Sequence, residues 1–418
     1  MLDAFFVPER MKIKPLAGGL LLLTLFVHGL ANNAYAAQSE SIRYVAAEKE
    51  RWASKAVIVD DVPLAHTAQF LPFSEKGEIV GKGNVAQQTK QSIENLKRAL
   101  VLAGTDWTHV VKINVYVSRD ENVESVAKVL AQTFSGKAKP SVTFVTGNLT
   151  TPDALVAMDA VAVVKTEKPQ SSSQRMAMQQ GFKDKTAAVA ILPSGGKFYI
   201  SGQAKNGDIT EATRGTLASL EETLKFLGLS KTHVVQLKAF MQPISDKEIV
   251  EAEVAKFFEG ELAPPVVYVE WSSPTNTPIE IEMIASEGKS EESRGDSVVF
   301  STPPKLTTSK VFSRVAHVRN GKSIYLSGLY GKQSTSGAEQ VREIFDELKT
   351  IANETGSDLE HLVKATYYVS DSEASAKLND IRPEFYNPLR PPAASKAMVK
   401  GVGSTGNTIT VDMIAVAK

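Results

Sequence analysis

The sequence predicts an α+β fold made of three tandem copies of one unit. The first observation is a repeated pattern, Gly, four residues, His and two aliphatic residues, with its His at 109, 233 and 361. The second is that strand-like and helix-like segments alternate in the same order around each His. The copies are 124 and 128 residues apart, a spacing that suits whole domains and is too long for a solenoid.

The first helix of each copy precedes the Gly of the pattern. In the first copy Ile93, Leu96 and Leu100 are spaced by three and four residues, which places them on one face of a helix. Gly104 then suits the left-handed residue that ends many helices. The same spacing precedes Gly228 and Gly356.

A strand follows each His. In the first copy, every second residue is aliphatic: Val111, Ile113, Val115 and Val117. The residues between them are Lys112, Asn114 and Tyr116, an alternation typical of a half-buried strand. A second helix follows, and a closing strand then carries an acidic residue before a small apolar run: Asp159, Glu282 or Asp412. Two short strands open each copy, so we expect a mixed sheet with both helices on one face.

We predict domains at 44–166, 180–287 and 308–418, joined by polar linkers, and a signal peptide at 1–36. The signal has Lys12 and Lys14, an apolar run from Leu16 to Leu30, and Ala34-Tyr35-Ala36 as a cleavage site. This order predicts a periplasmic or secreted protein with no membrane attachment after cleavage. The alternative is that the segment stays uncleaved and anchors the protein in the membrane. Translation begins at Met1 or Met11.

Composition excludes several functions. Lys plus Arg and Asp plus Glu both number 47, so electrostatics give no reason to expect nucleic-acid binding. The absence of Cys excludes disulfides and thiolate chemistry. No Gly-rich phosphate loop or nucleophile elbow is present. We therefore predict neither a metal nor a cofactor.

The repeated helix-Gly-His-strand order, the Ser-Gly motifs and the closing Ile-Glu-Ile-Glu-Met-Ile-Ala segment resemble the RidA family. This family is also called YjgF, UK114 or endoribonuclease L-PSP, and the resemblance covers about 350 residues in three copies. It implies the YjgF-like, or chorismate mutase-like, fold, homotrimers, and ligand clefts between subunits. It also implies, for the best-known branch, hydrolysis of enamines and imines derived from amino acids.

Three copies in one chain could occupy the three positions of such a trimer. We predict an intramolecular pseudo-trimer, monomeric in solution, with three non-identical clefts. The alternative is that equivalent domains of three chains assemble into a larger particle.

The closing acids Asp159, Glu282 and Asp412 are candidate catalytic residues, since the resemblance implies an acid that orients water or accepts a proton. An equally weighted interpretation makes them structural, bonded to backbone at a strand end. The resemblance also implies ligand contacts near the opening strands and the second helix. These positions are Thr67, Ser201, Gly202, Ser327, Gly328 and Asn379.

The Arg that would bind a substrate carboxylate in the family falls on Val142, Val266 and Ala394. Arg390 is nearby but precedes the Pro pair. The third copy, with Asn379 and Asp412, is the best candidate for activity. The repeated His residues are more simply structural parts of their loops.

The preferred hypothesis is an exported protein that binds small molecules in its inter-domain clefts without the standard imino-acid deaminase activity. The alternative is an enamine or imine deaminase acting on substrates without a carboxylate. RNA cleavage, which the older family name implies, is disfavoured by the balanced charge.

Overall fold

The structure is a computed structural model of the 418-residue chain. It describes residues 41–46, 52–165, 173–178, 185–273, 277–288, 296–332 and 336–418. The predicted signal peptide lies outside the described residues. None of the described helices is both long and apolar enough to cross a membrane.

The described elements repeat three times. The first repeat contains β1 (Ile42–Ala46), β2 (Ser54–Val59), β3 (Leu64–Thr67), α1 (Val85–Leu102), β4 (Val110–Val117), α2 (Val123–Thr133), β5 (Ser141–Thr146) and β6 (Val156–Val163). The second contains β7 (Gln174–Met176), β8 (Val189–Leu192), β9 (Gly196–Ala204), α3 (Ile209–Phe226), β10 (Val234–Met241), α4 (Lys247–Phe257), β11 (Val266–Glu270) and β12 (Ile279–Gly288). The third contains β13 (Val298–Ser301), β14 (Val315–Val318), β15 (Ser323–Leu326), α5 (Gly337–Glu354), β16 (Leu362–Val369), α6 (Ser372–Ile381), β17 (Ala393–Met398) and β18 (Ile409–Val416).

Helices α1, α3 and α5 follow from local sequence signals. Each is 18 residues long and begins after a side chain that accepts backbone N–H groups, Asn84, Asp208 or Ser336. The Gly that follows each helix has a φ of 71° to 79°, the left-handed conformation that other residues rarely adopt. The predicted helix ends are thereby confirmed.

The chain forms three six-stranded mixed sheets, in the orders β5-β4-β6-β3-β8-β7, β11-β10-β12-β9-β14-β13 and β17-β16-β18-β15-β2-β1. The central strand of each repeat pairs in parallel with the strand after its second helix, and the other pairings are antiparallel. This agrees with the predicted sheet type.

Each sheet takes its last two strands from another repeat. The opening hairpin of the second repeat completes the first sheet, and that of the third repeat completes the second sheet. The hairpin β1–β2, at the start of the chain, completes the third sheet, where Tyr325 pairs with Val57. Each sheet therefore contains strands from two of the predicted domains, and the domain boundaries stay a prediction.

Both faces of each sheet are buried at its inner strands, and the outermost strands β1, β7 and β13 are partly exposed. One face packs on the two helices of its repeat, with Ile113 and Leu96 in the first core. The other face joins a cluster shared by all three repeats, which contains Val111, Val235 and Val363. The prediction that β4 is half-buried is thus wrong. All eight of its residues are buried, because its polar face meets the other repeats and not solvent.

Candidate functional site

The three predicted catalytic acids are buried and lie together where the three repeats meet. Asp159, Glu282 and Asp412 are between 2% and 6% exposed. They form a central charge cluster with three lysines of the equivalent strands: Lys112 of β4, Lys238 of β10 and Lys364 of β16. These six side chains border a cavity of about 30 Å³, which is room for a water or two.

Three of the four ion pairs in the central charge cluster join different repeats, and the Lys238–Glu282 pair lies within the second repeat. Lys112 Nζ lies 3.0 Å from Asp412 Oδ1, and Lys364 Nζ lies 2.7 Å from Glu282 Oε1. Lys238 Nζ is held more loosely, 3.7 Å from Asp412 Oδ2 and 3.9 Å from Glu282 Oε1.

Asp159 has no lysine at ion-pair distance among the described residues. It accepts hydrogen bonds from Asn114 Nδ2 and the Tyr116 hydroxyl, both at 2.9 Å. Burial raises the pKa of Asp159 above its usual value. Burial acts the same way on Asp412, but the ammonium groups of Lys112, Lys238 and Lys364 outweigh it and hold the Asp412 pKa well below its usual range.

Three ammonium groups and three carboxyl groups balance in number at a site with little room for a ligand. This placement favours the structural interpretation of Asp159, Glu282 and Asp412 over the catalytic one. A balanced and hydrogen-bonded set of buried charges can specify how elements pair, even where it adds little to stability. A molecule larger than water would need a different cavity among the described residues.

An open cleft lies between the second and third repeats. This second–third cleft has a volume of about 510 Å³, within the range of small-molecule sites. One wall carries Gly202 and Glu280, and the other carries Asn379, Ala394 and Arg382. The structure thus brings together the predicted ligand positions Gly202, Asn379 and Ala394, although they come from two copies.

Glu280 is the acid of the second–third cleft. Its side chain is partly buried, and burial raises its pKa to about 7, which the Ser395 hydroxyl partly offsets and the Glu282 carboxyl reinforces. The Gly202 N–H donates to Ser395 Oγ at 3.1 Å. A Cβ on Gly202 would lie 1.9 Å from Glu280 Oε1, so Gly202 is what makes room for this carboxyl.

Three cations line the same cleft: Arg314, Arg382 and Lys396. Asn379 Oδ1 accepts hydrogen bonds from Arg382 Nη2 at 3.1 Å and from Lys396 Nζ at 3.2 Å. Burial lowers the pKa of Lys396, and the neighbouring Arg382 lowers it further. An acid with a pKa near neutrality beside hydrogen-bond donors can exchange protons with a bound molecule.

The equivalent contacts between the first and second repeats surround a cleft of about 740 Å³, which Val266 lines. Here Lys247 Nζ lies 2.8 Å from Glu251 Oε2 and 5.7 Å from the centre of the Tyr268 ring. The Thr67 hydroxyl turns away from this cleft: it donates to Ala68 O and accepts from the Ala160 N–H, both at 2.9 Å.

Between the third and first repeats, the equivalent segments are in direct contact. Gly328 N–H donates to Val142 O at 2.9 Å, and Ser327 Oγ donates to Ser54 O at 2.6 Å. A Cβ on Gly328 would lie 3.0 Å from Thr410 Oγ1. Ser327 and Gly328 therefore do not share a cleft with Asn379, although the sequence places all of them in one copy.

The remaining predicted positions are structural in their contacts. Arg390 Nη1 lies 2.5 Å from Asp296 Oδ2 and its guanidinium lies over the Phe300 ring, outside the second–third cleft. Ser201 is buried beside Gly202. The three repeated His residues bond within their own turns; His361 Nδ1, for example, lies 2.7 Å from Asp358 Oδ1, as the structural interpretation expects. No described group of three or more His, Asp or Glu residues could hold a metal ion.

Sequence reasoning missed Glu280 and Arg382. The signal for Glu280 was present, because Glu280 and Glu282 alternate on one strand and so face the same side of the sheet. The equivalent residues of the other copies are Ala157 and Thr410, so Glu280 does not belong to the pattern that the three copies share. Arg382 gave no signal, since its role depends on packing between repeats.

The helix-flanked mixed sheets and the clefts between repeats define an α+β protein built from three copies of one domain. The family model described as Endoribonuclease L-PSP matches residues 32–164, 185–287 and 304–417. The chain belongs to this family, also known as RidA or YjgF, and carries three copies of its domain.

Individual relatives match one repeat at a time. A RutC family protein of Pyrococcus abyssi is 38% identical over 88 residues, which cover 21% of this chain and 68% of the relative. A 2-iminobutanoate/2-iminopropanoate deaminase of Rattus norvegicus is 33% identical over 88 residues, covering 21% of this chain and 64% of the relative. A solved Rid family structure from Yersinia pestis, of unknown function, shares 24% identity with a TM-score of 0.28, covering 30% of this chain and 99% of its own.

Proposed function

We propose that this protein is an exported RidA-family protein that binds a small molecule in the second–third cleft. The observation that carries the proposal is the partly buried Glu280 carboxyl, with a pKa of about 7, in a cleft of about 510 Å³. Titratable groups with displaced pKa values in open clefts are concentrated at functional sites. Val266 in the first–second cleft and Val142 in the third–first contact are apolar where the family has its Arg, which disfavours the standard imino-acid reaction there.

A second candidate function is hydrolysis of an enamine or imine in the same cleft. Glu280 is suited to it, because an acid with a pKa near 7 can both take a proton from water and return one to a leaving amine. The name of the rat relative supports this chemistry for the family. Ala394 replaces the expected Arg in this cleft too, so the sequence predicts a substrate without a carboxylate.

We further propose that the mature chain is a monomeric pseudo-trimer. The shared sheets and the inter-repeat ion pairs support it, since each repeat completes the sheet of another. Light scattering of the chain from Ala37 should give the mass of one chain. A mass of three chains would instead support the assembly of separate domains.

The functional test measures ammonia release from imines generated in situ from amino acids and from uncharged amines. Enzymatic acceleration should be lost in Glu280→Gln. The matched control is Glu251→Gln, which removes a buried acid beside a different cleft. Asp412→Asn tests the catalytic prediction for the central acids.

Acceleration that survives Glu280→Gln and disappears in Asp412→Asn would overturn the proposed site. If no precursor is accelerated, the hydrolase candidate fails and binding remains, to be measured by calorimetry. Export is tested separately by sequencing the N-terminus of the protein recovered from the periplasm or medium, where cleavage after Ala36 is expected.

A further inference from the structure

Arg382 is a buried cation on the wall of the second–third cleft. It lies just after α6 and is 8% exposed. Its Nη2 donates to Asn379 Oδ1 at 3.1 Å, and its guanidinium lies 5.3 Å from the centre of the Tyr367 ring. Its buried Nε has no hydrogen-bond partner within the described part of the chain.

The other buried cations all have a carboxylate within 4.0 Å. In the described residues these cations are Lys112, Lys197, Lys238 and Lys364. Arg382 has no carboxylate at that distance within the same residues. The Asn379 amide oxygen, the Tyr367 ring and the Tyr367 hydroxyl replace it, and these neutral groups compensate a buried charge less well than a carboxylate does.

A second cation makes this arrangement less favourable still. Lys396 Nζ shares the Asn379 oxygen with Arg382, at 3.2 Å, and its remaining contact is with Ser375 Oγ at 3.0 Å. Two cations on one neutral acceptor repel each other. Buried cations that lack a carboxylate partner lower stability, and such residues are expected at functional sites, where a bound ligand can supply the negative charge.

We infer that the second–third cleft accepts a compact organic anion, whose carboxylate or phosphate oxygens contact Arg382 and Lys396. This inference rests on the proposed function of the cleft and specifies the charge of its ligand. It also revises the expectation that the cleft lost its anion site with Ala394. The Arg382 guanidinium, at the end of α6, takes the place of the family Arg that would stand at position 394 in β17. The small side chain of Ala394 leaves room for a ligand beside it.

The test uses probes of similar size and different charge. Butanoate, propyl phosphate and the neutral butanamide are titrated into the mature chain from Ala37 by calorimetry at pH 6. At least one anion should bind tenfold or more tightly than butanamide. A preference for butanoate would identify a carboxylate ligand, and a preference for propyl phosphate a phosphate ligand.

The decisive variant is Arg382→Met, which keeps the length of the side chain and removes its charge. It should abolish the preference for the anion and leave the melting temperature unchanged or higher, because an uncompensated buried charge is removed. Arg382→Lys should keep part of the preference. The matched control is Arg342→Met, which removes an exposed guanidinium paired with Glu384 and should change neither result.

Other outcomes would overturn the inference. If butanamide binds as tightly as both anions, and Ala394→Trp abolishes all binding, the cleft is a ligand site without anion preference and only the proposed function survives. If Arg382→Met lowers the melting temperature and the anion preference persists, Arg382 is structural. If Ala394→Trp affects no probe, the probes bind elsewhere, which contradicts both proposals.

Discussion

The partly buried carboxyl of Glu280 should make the stability of the protein fall as the pH rises towards neutrality. In the unfolded chain this group titrates near 4.5, and in the folded chain burial raises its pKa to about 7. The folded state therefore holds a proton in this interval that the unfolded state has lost. By linkage, the cost of ionising Glu280 is absent below pH 4.5, grows between the two values and is complete above pH 7.

The size of the effect follows from the displacement of the pKa. One pKa unit corresponds to about 1.4 kcal/mol, so the interval from 4.5 to about 7 gives at most about 3.5 kcal/mol. Glu280→Gln removes the titration and keeps the shape of the side chain. The difference in unfolding free energy between the variant and the wild type should then grow by about 2 to 3 kcal/mol between pH 4.5 and pH 7.5.

The assay is urea unfolding of both proteins at intervals of half a pH unit. Taking the difference between the proteins cancels the titration of every other group, including the central acids. A constant difference across this range would refute the reasoning, because it would mean that the Glu280 carboxyl has an ordinary pKa and is in contact with water. A difference that shrinks with rising pH would show a carboxylate stabilised by the nearby cations.

Three further predictions concern groups near the inter-repeat contacts. Gly202→Ala should displace the Glu280 carboxyl, because the new Cβ would lie 1.9 Å from Oε1. In a chain that carries Gly202→Ala, the pH-dependent change in unfolding free energy caused by Glu280→Gln should therefore be smaller. A change of the same size would contradict this prediction. Lys364→Met should cost about 3 to 5 kcal/mol in urea unfolding, since it leaves Glu282 buried without its 2.7 Å partner; a loss below about 1 kcal/mol would contradict it. Burial lowers the pKa of His66 to about 4 from 6.5, so the unfolded state takes up a proton first and stability should fall by up to about 3 kcal/mol from pH 6.5 to 4. His66→Phe should remove that slope, and a slope retained in full would assign it to other groups.

The helices and their ends were predictable because their causes are local. The spacing of Ile93, Leu96 and Leu100 identifies the buried face of α1, and the need for a left-handed residue explains Gly104. The threefold repetition and the family were also readable from the sequence, since they depend on residue order alone. The alternation in β4 showed correctly that its two faces differ, except at Val111, which a register shift between Val110 and Lys112 places on the opposite face from Ile113.

What that alternation left open was the partner of each face. A period of two separates the faces of a strand, but it does not tell whether the polar face meets water or another sheet. The tertiary structure decided that Lys112 and the equivalent lysines contact the closing acids in the interior. From the sequence of one copy alone, those acids would be placed in a ligand cleft.

Pairing between repeats was likewise decided only by the tertiary structure. The sequence places β2 next to β3, where a hairpin is the default, whereas β2 pairs with β15 about 270 residues later. The second–third cleft combines Glu280 of one repeat with Arg382 of the next, and neither repeat alone contains both. Contacts between residues so far apart depend on how whole faces fit together, and this information is distributed over the three repeats and does not reside in any single motif.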